Sequence, residues 1–351
     1  MSRRRTHSFL LPLSLPSPVL CMRMRARGIV QRCFSASSGK KDVFDRTLKA
    51  RQRGWAIMRP GSDYYDYLRM ECADRLVDRL EDIKRDFPCA LDLGSHRGHV
   101  LDALVRKSTD VEEFGILGGI SKLTQSDMSS TVLECARENA TKQTLVKVDC
   151  LHMDEEDIQC APESYDLILS SMALHWVNNL PQALQRIKRS LRPDGAFVGC
   201  MLGGTTLHEL RHSFYLAEQE RDGGVAPHVS PLALPSDIAG LMQGAGFNLP
   251  TIDVETVTIG YPDALTLMEH LQRMGEGNAT YTRRGGMRAD TFLATAAAYQ
   301  EMYGLEDGTI PATFQVIYMI GWAPHHSQPQ PLRRGSQKRS MKELEKGGVS
   351  G

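Results

Sequence analysis

The stretch ALDLGSHRGHV (90–100) runs an apolar segment into Asp92 and then spaces Gly94 and Gly98 around His96. Glycines placed directly after a strand let the backbone approach a ligand that a Cβ would hold away, which is the chemistry of a nucleotide cradle. Three later stations complete such a cradle. Asp127 opens DMSSTVLECARENA (127–140) and can accept hydrogen bonds from ribose hydroxyls. The run HMDEED (152–157) offers Asp154 and Glu155 where an acid can meet an adenine amine. SSMALHWV (170–177) carries His175 and Trp176 to the edge of the same cleft, the place for the reaction itself. The spacing D-x-G-x-x-x-G, with its acid first, differs from the G-x-G-x-x-G of dinucleotide dehydrogenases.

Each station also has a purely structural reading. Asp127 can cap the helix that follows it, and Asp154, Glu155 and Glu156 can form a solvated loop. His175 and Trp176 can fill core. His152, Met153 and Asp154 look like the start of a facial iron triad, but that chemistry normally sits on an all-β jelly roll, which this sequence does not supply. No metal site is expected, and no Ser-His-Asp arrangement or phosphate loop is legible.

The elements that must position these residues alternate between apolar runs and amphipathic stretches. Strands are expected at 89–94, 144–150, 165–172 and 196–202, then at 251–261 and 313–322. Helical spacing marks 42–59, 63–83, 180–195, 236–247 and 264–275, with a Pro-Asp-Gly turn closing the third. This is the pattern of an α/β sheet whose ligands gather outside the carboxyl ends of its strands. One region resists it. A strand should run into Asp127, yet GILGGISKLT (115–124) sits where that strand should end. It is read as a surface insertion or as a segment foreign to the working protein.

The chain has 351 residues, 41% of them apolar, and a formal net charge of zero. Residues 1–41 hold nine arginines and lysines and no acid, which leaves the rest acidic. An Arg- and Ser-rich, acid-free start reads as a mitochondrial transit peptide, with RCFSAS (32–37) as a processing region. The rival reading, a secretory signal built on FLLPLSLPSPVL (9–20), is broken by three prolines. An acidic remainder argues against nucleic acid as a partner. Eight scattered cysteines without a C-x-x-C pair suit reduced thiols. The expected organisation is a presequence (1–41), a helical segment (42–88), a cofactor-binding core (89–202), a lid with completing helices and strands (203–325), and a disordered tail (326–351). The lid proper is TTLHELRHSFYLAEQERDGG (205–224).

The ordered set of loop, acids and strands resembles the seven-stranded, Rossmann-like fold of class I S-adenosylmethionine-dependent methyltransferases. The likeness becomes narrower in FDRTLKARQRGWA (44–56), YDYLRMECADRLVDRLEDIKRDFPCALDLG (65–94) and SSMALHWVNNLPQAL (170–184). It continues through LRPDGAFVGCMLGGTTLHELR (191–211), AEQERDGGVAPHVSP (217–231), LMEHLQRMGEGNA (267–279) and MYGLEDGTIPATFQVIYMIGW (302–322). These are similar to a mitochondrial family of methyltransferase-like assembly factors for respiratory complex I, which hydroxylate an arginine on an iron–sulfur subunit. The resemblance implies S-adenosylmethionine as cofactor, held by Asp92, Gly94, Gly98, Asp127, Asp154 and Glu155. It implies His175 and Trp176 in the reaction cleft, and Arg221, His228 and Ser230 toward substrate or partner. It also implies a matrix protein peripheral to the inner membrane. The family pattern D-x-G-x-G-x-G is broken at His96, whose side chain would crowd the ligand or force the loop open. Two rivals stand beside this reading. One is an ordinary methyltransferase for an acyl-carrier-protein carboxylate or a protein acceptor. The other is a non-catalytic assembly chaperone that has lost its cofactor.

Overall fold

The computed structural model describes residues 8–9, 42–109 and 116–329. The expected presequence, apart from Ser8 and Phe9, and the expected tail beyond 329 lie outside the described residues. Seven strands make one sheet: β1 (Cys89–Leu93), β2 (Lys122–Asp127), β3 (Lys147–His152), β4 (Tyr165–Ser171), β5 (Leu191–Leu202), β6 (Asn248–Tyr261) and β7 (Ile310–Trp322). Their order is β3-β2-β1-β4-β5-β7-β6, with Ser8–Phe9 added in parallel at the β6 edge. Only β7 runs antiparallel to its neighbours. The order reverses between β1 and β4, so the crevice for a ligand opens outside their carboxyl ends.

Period-two alternation sends successive residues of each strand to opposite faces. On one face Ala90, Leu167, Leu169, Val198 and Val316 meet α2 (Tyr67–Glu81) and α3 (His99–Thr109) through Leu76, Leu80, Val100 and Leu104. On the other, Leu91, Ile168, Phe197 and Ile317 meet α5 (Leu180–Ser190) and α7 (Pro235–Ala245) through Leu184, Ile187, Ile238 and Met242. Strands covered on both faces read as continuous apolar runs, which is why CALDL and YDLILSS stand out in the sequence. The remaining helices are α1 (Arg46–Met58), α4 (Ser130–Ala140), α6 (His208–Arg221), α8 (Ala264–Arg273) and α9 (Ala289–Tyr303).

The resistant region resolves into ordinary fold. KLTQSD is β2 itself, and it does end at Asp127. Ahead of it, Leu117–Gly119 form a 3-10 turn between buried Ile116 and Ile120. Gly118 O accepts from Phe87 N at 2.7 Å, and Leu117 N donates to Ser108 Oγ at 2.8 Å. Residues 116–124 are therefore neither surface insertion nor foreign matter. The polar residues Thr124, Gln125 and Ser126 are buried all the same, and with Leu123 as the one hydrophobic residue of KLTQSD they disguised an interior strand. The Pro-Asp-Gly turn is likewise absorbed, since β5 starts at Leu191 and carries Asp194 at φ 63°.

Gly94, expected to serve a ligand, has a nearer duty. At φ +72° a Cβ there would lie 2.4 Å from Ala173 Cβ and 2.9 Å from Glu155 Oε1. Gly94→Ala is expected to cost about 3 kcal/mol, combining the left-handed backbone with overpacking. A urea midpoint indistinguishable from the parent protein would refute that assignment.

Candidate cofactor cradle and reaction cavity

The strand ends bring the expected acids together. Asp92, in β1, is fully buried, and neither of its oxygens has a hydrogen-bond partner. Across the β1–β2 register it pairs with Gln125, whose side-chain amide is also unpartnered. Burial, and then the Asp127 charge, push the Asp92 carboxyl up to about 8. Between pH 4 and pH 8 the folded chain therefore keeps a proton that the unfolded chain has lost. Stability attributable to Asp92 falls as pH rises through that window and levels off above it, by up to about 1.4 kcal/mol per pH unit. Asp92→Asn should remove this slope. Parallel denaturation curves for the two proteins at pH 5 and pH 8 would show the attribution to be wrong.

Asp127 terminates β2 and accepts from Ser129 N at 2.8 Å just before α4. It accepts from His96 N at 3.3 Å as well, so it ties the glycine loop to β2. The capping reading is thus partly realised without exhausting the residue. Asp154 is one-third exposed, whereas Glu155 is buried. Glu156 accepts from the backbone nitrogens of Asn178 and Asn179 and so clamps its loop to the end of the HW turn. This is an organised acidic cluster, and the solvated-loop reading does not describe it.

What sequence reading missed is the partner of these acids. Helix α1 starts at an Asp45 cap, with Leu48 N donating to Asp45 Oδ1 at 2.9 Å. Its approach is fixed by Asn178 Oδ1, which accepts from Val43 N and Phe44 N at 2.9 and 2.7 Å. Arg46, Lys49 and Arg53 then fall on one face of the helix. Arg53, only 2% exposed, donates to Glu155 Oε1 at 2.5 Å and to Asp127 Oδ2 at 3.2 Å. Arg46 bonds both Asp154 and Glu155. Burial would raise the Glu155 carboxyl, but Arg53 and then Arg46 outweigh it and hold Glu155 below the usual range. The signal was available: three cations spaced three and four apart in RTLKARQR, facing an otherwise uncompensated acidic set.

A second buried carboxylate was also missed. Glu276, just past α8, accepts from Trp176 Nε1 at 2.9 Å, lies 3.1 Å from His175 Nε2, and pairs with Arg69. Lys49 Nζ donates to Gly275 O and Gly277 O at 3.0 and 2.8 Å and sits 3.2 Å above the Trp176 ring centroid. Phe44 meets the same indole edge-on at 5.4 Å. Burial works against the Glu276 charge, yet Arg69 first and then His175 keep it ionised well below the carboxylate range. Burial lowers His175 against the pull of Glu276, so the imidazole is neutral at physiological pH. His175 and Trp176 are therefore packed into the interior, with His175 Nδ1 left buried without a partner, and they also form a wall.

That wall belongs to a cavity of about 280 Å³ beneath α6, α8 and α9. Leu210, Phe214, Met268 and Phe314 give it apolar sides, while Ser230, Gln272 and Asn278 supply polar edges. His228 lines it, stacked 4.2 Å from Phe214 and bonded to Glu218 at 2.7 Å. Ser230 Oγ reaches Asn278 Oδ1 at 3.3 Å. Within the stretch expected as a lid, α6 turns Leu210 and Phe214 into the cavity. Arg221 does not join them: it is 47% exposed at the far end of α6, with Glu220 at 3.9 Å.

Residues 91–199 match the methyltransferase domain family. Relatives match far more of the chain. The zebrafish (Danio rerio) protein named Arginine-hydroxylase NDUFAF5, mitochondrial, is 44% identical over 90% of this chain and 93% of its own length. This chain belongs to that family. The human (Homo sapiens) member is 43% identical over 89% of this chain and 86% of its own. The arginine-hydroxylase family has methyltransferase kin. A malonyl-[acyl-carrier protein] O-methyltransferase of Halorhodospira halophila is 30% identical over 73% of this chain and 81% of its own length. Among solved structures, a putative methyltransferase from Bacillus halodurans shares the fold, with a TM-score of 0.50 at 16% identity over 72% of this chain and 99% of that one. The class I methyltransferase fold expected from the sequence is the fold observed.

Proposed function

We propose that this chain is a mitochondrial enzyme that hydroxylates an arginine of an iron–sulfur subunit of respiratory complex I, as an assembly factor on the matrix side of the inner membrane. The observation that carries this reading is the end-to-end identity of 44% with a relative named mitochondrial arginine hydroxylase. The cavity supports it. Its apolar sides suit the methylenes of an arginine stem, and Ser230, Gln272 and Asn278 offer hydrogen-bond partners for the head. No helix among the described residues is long and apolar enough to cross a membrane, which accords with peripheral attachment through the client. The test is mass spectrometry of the iron–sulfur subunit from mitochondria with and without this protein. One added oxygen on an arginine, present only with the protein, is the expected result. The same arginine mass in both samples would overturn the proposal.

S-adenosylmethionine fits the donor set in part. Asp92 and Gln125, buried side by side with no partner beyond each other, suit the α-ammonium of its amino-acid end. Asp127 and Glu155 suit a ribose and an adenine by type, but Arg53 now holds their inner oxygens. When bound, the group would supply a sulfonium and an electrophilic methyl. The chain's own part is to orient it with Asp92 and Asp127, to exclude water with α6, and to present substrate from the cavity. A second reading, methyl transfer to a carboxylate, is favoured by the 30% identity to the acyl-carrier-protein enzyme. Labelled methyl appearing on such an acceptor, with no oxygen added to the complex I arginine, would establish it in place of the first.

A further inference from the structure

The loop that breaks the glycine pattern does more than crowd a ligand. His96 and His99 flank Gly98 and stack with ring centroids 5.7 Å apart. Asp66, thirty residues upstream, closes on them from the start of α2, fixed there by Met70 N donating to Asp66 O at 2.9 Å. One ligand atom from each of the three lies within 4.8 Å of the others. Asp66 Oδ2 and His99 Nε2 are already 3.7 Å apart. Ligands about 2.1 Å from a shared ion stand roughly 3.0–3.5 Å from one another, so modest side-chain rotation completes the set.

The second observation is independent of spacing. Both ring nitrogens of His96 and Nε2 of His99 are buried without a hydrogen-bond partner. Buried polar atoms are rarely left so, and a bound ion is one way they are satisfied. His96 also holds a left-handed φ of 52°, where a glycine would be at ease.

We propose that Asp66, His96 and His99 form a binding site for one divalent first-row transition-metal ion, beside the acidic cradle and distinct from the cavity. Two imidazoles and a carboxylate are borderline donors that suit iron(II), cobalt(II) or zinc, and three protein ligands leave coordination positions open. Arg97 is the built-in competitor: its Nε lies 2.9 Å from Asp66 Oδ2 and its guanidinium bonds Ser62. In the metal-free chain that arginine neutralises the carboxylate, and the ion must displace it. The site stands on these residues alone and does not depend on arginine hydroxylation being the activity.

Nothing in the local pattern pointed to it, because Asp66 is remote and the histidines resembled a damaged glycine loop. The test is anaerobic titration of the full-length chain with cobalt(II), followed by its visible absorption. One ion per chain is expected, with His96→Gly and His99→Gln each weakening binding at least tenfold. His96→Gly relieves the backbone as well, so it keeps the fold and its loss of cobalt cannot be blamed on unfolding. Arg97→Gln should tighten binding several-fold, a gain that damage does not mimic. No saturable cobalt binding by the parent chain, or equal affinity in the parent and His96→Gly, overturns the proposal.

Discussion

Arg53→Gln is expected to lower the stability of the ligand-free protein by about 3 kcal/mol, because it removes the guanidinium that two buried carboxylates share and leaves Glu155 to Arg46 and Asp127 to backbone N–H groups. Asp127 and Glu155 are both fully buried, and Arg53 is the side chain that bridges them. The same change frees the oxygens that a ribose and an adenine would use. S-adenosylmethionine should therefore raise the melting temperature of the variant more than that of the parent, by the logic that a ligand stabilises only the state it binds. Denaturant titration measures the first effect and a thermal shift with and without the compound measures the second. A destabilised variant that gains nothing from the compound would show that Arg53 is structural only and that the cradle has no nucleotide role.

Glu276→Gln should cost a similar amount, about 3–5 kcal/mol, for the opposite reason: it leaves buried cations without their anion. Arg69 pairs with Glu276, and Lys49 is completely buried with only carbonyls and an indole face besides. Burial already pulls the Lys49 ammonium well below its usual range, with Glu276 the main force resisting. Without that carboxylate only the carbonyls and the indole face remain to hold the ammonium. Pairing Glu276→Gln with Arg69→Met should recover part of the loss, since removing both charges leaves less uncompensated. Strictly additive losses, or a single-variant cost under about 1 kcal/mol, would mean that the pair is solvated and weak. Because Glu276 orients His175 and Trp176 on the cavity wall, hydroxylation should fall with it.

The parts that could be read in the sequence share one property: their signal is local. β1 and β4 are short strands with a dense apolar centre, α5 has an Asn179 cap, Pro181 near its start and a strong stripe, and α7 ends on Gly246. The acids at the strand ends were legible because fold order alone brings them to one crevice. What escaped depends on distant pairing. Arg53 and Glu155 are 102 positions apart, and His175 and Glu276 are 101 apart. No periodicity joins such residues. β2 was missed for a different reason, since a buried strand whose one hydrophobic residue is Leu123 lacks the mark by which strands are recognised. α9 evaded patterning too, because its alanine-rich sequence has little contrast between faces.

The position of α1 also sets an order of events. Its cations engage Asp127 and Glu155 in the middle of the chain and the carbonyls of Gly275 and Gly277 near its end. β7, which must slide between β5 and β6, comes later still. The first long helix of the described residues thus has no complete berth until almost the whole polypeptide is present. Until then RTLKARQR is a cationic stretch whose partners have not been built, so the acidic cradle and the cavity wall close in the same late step.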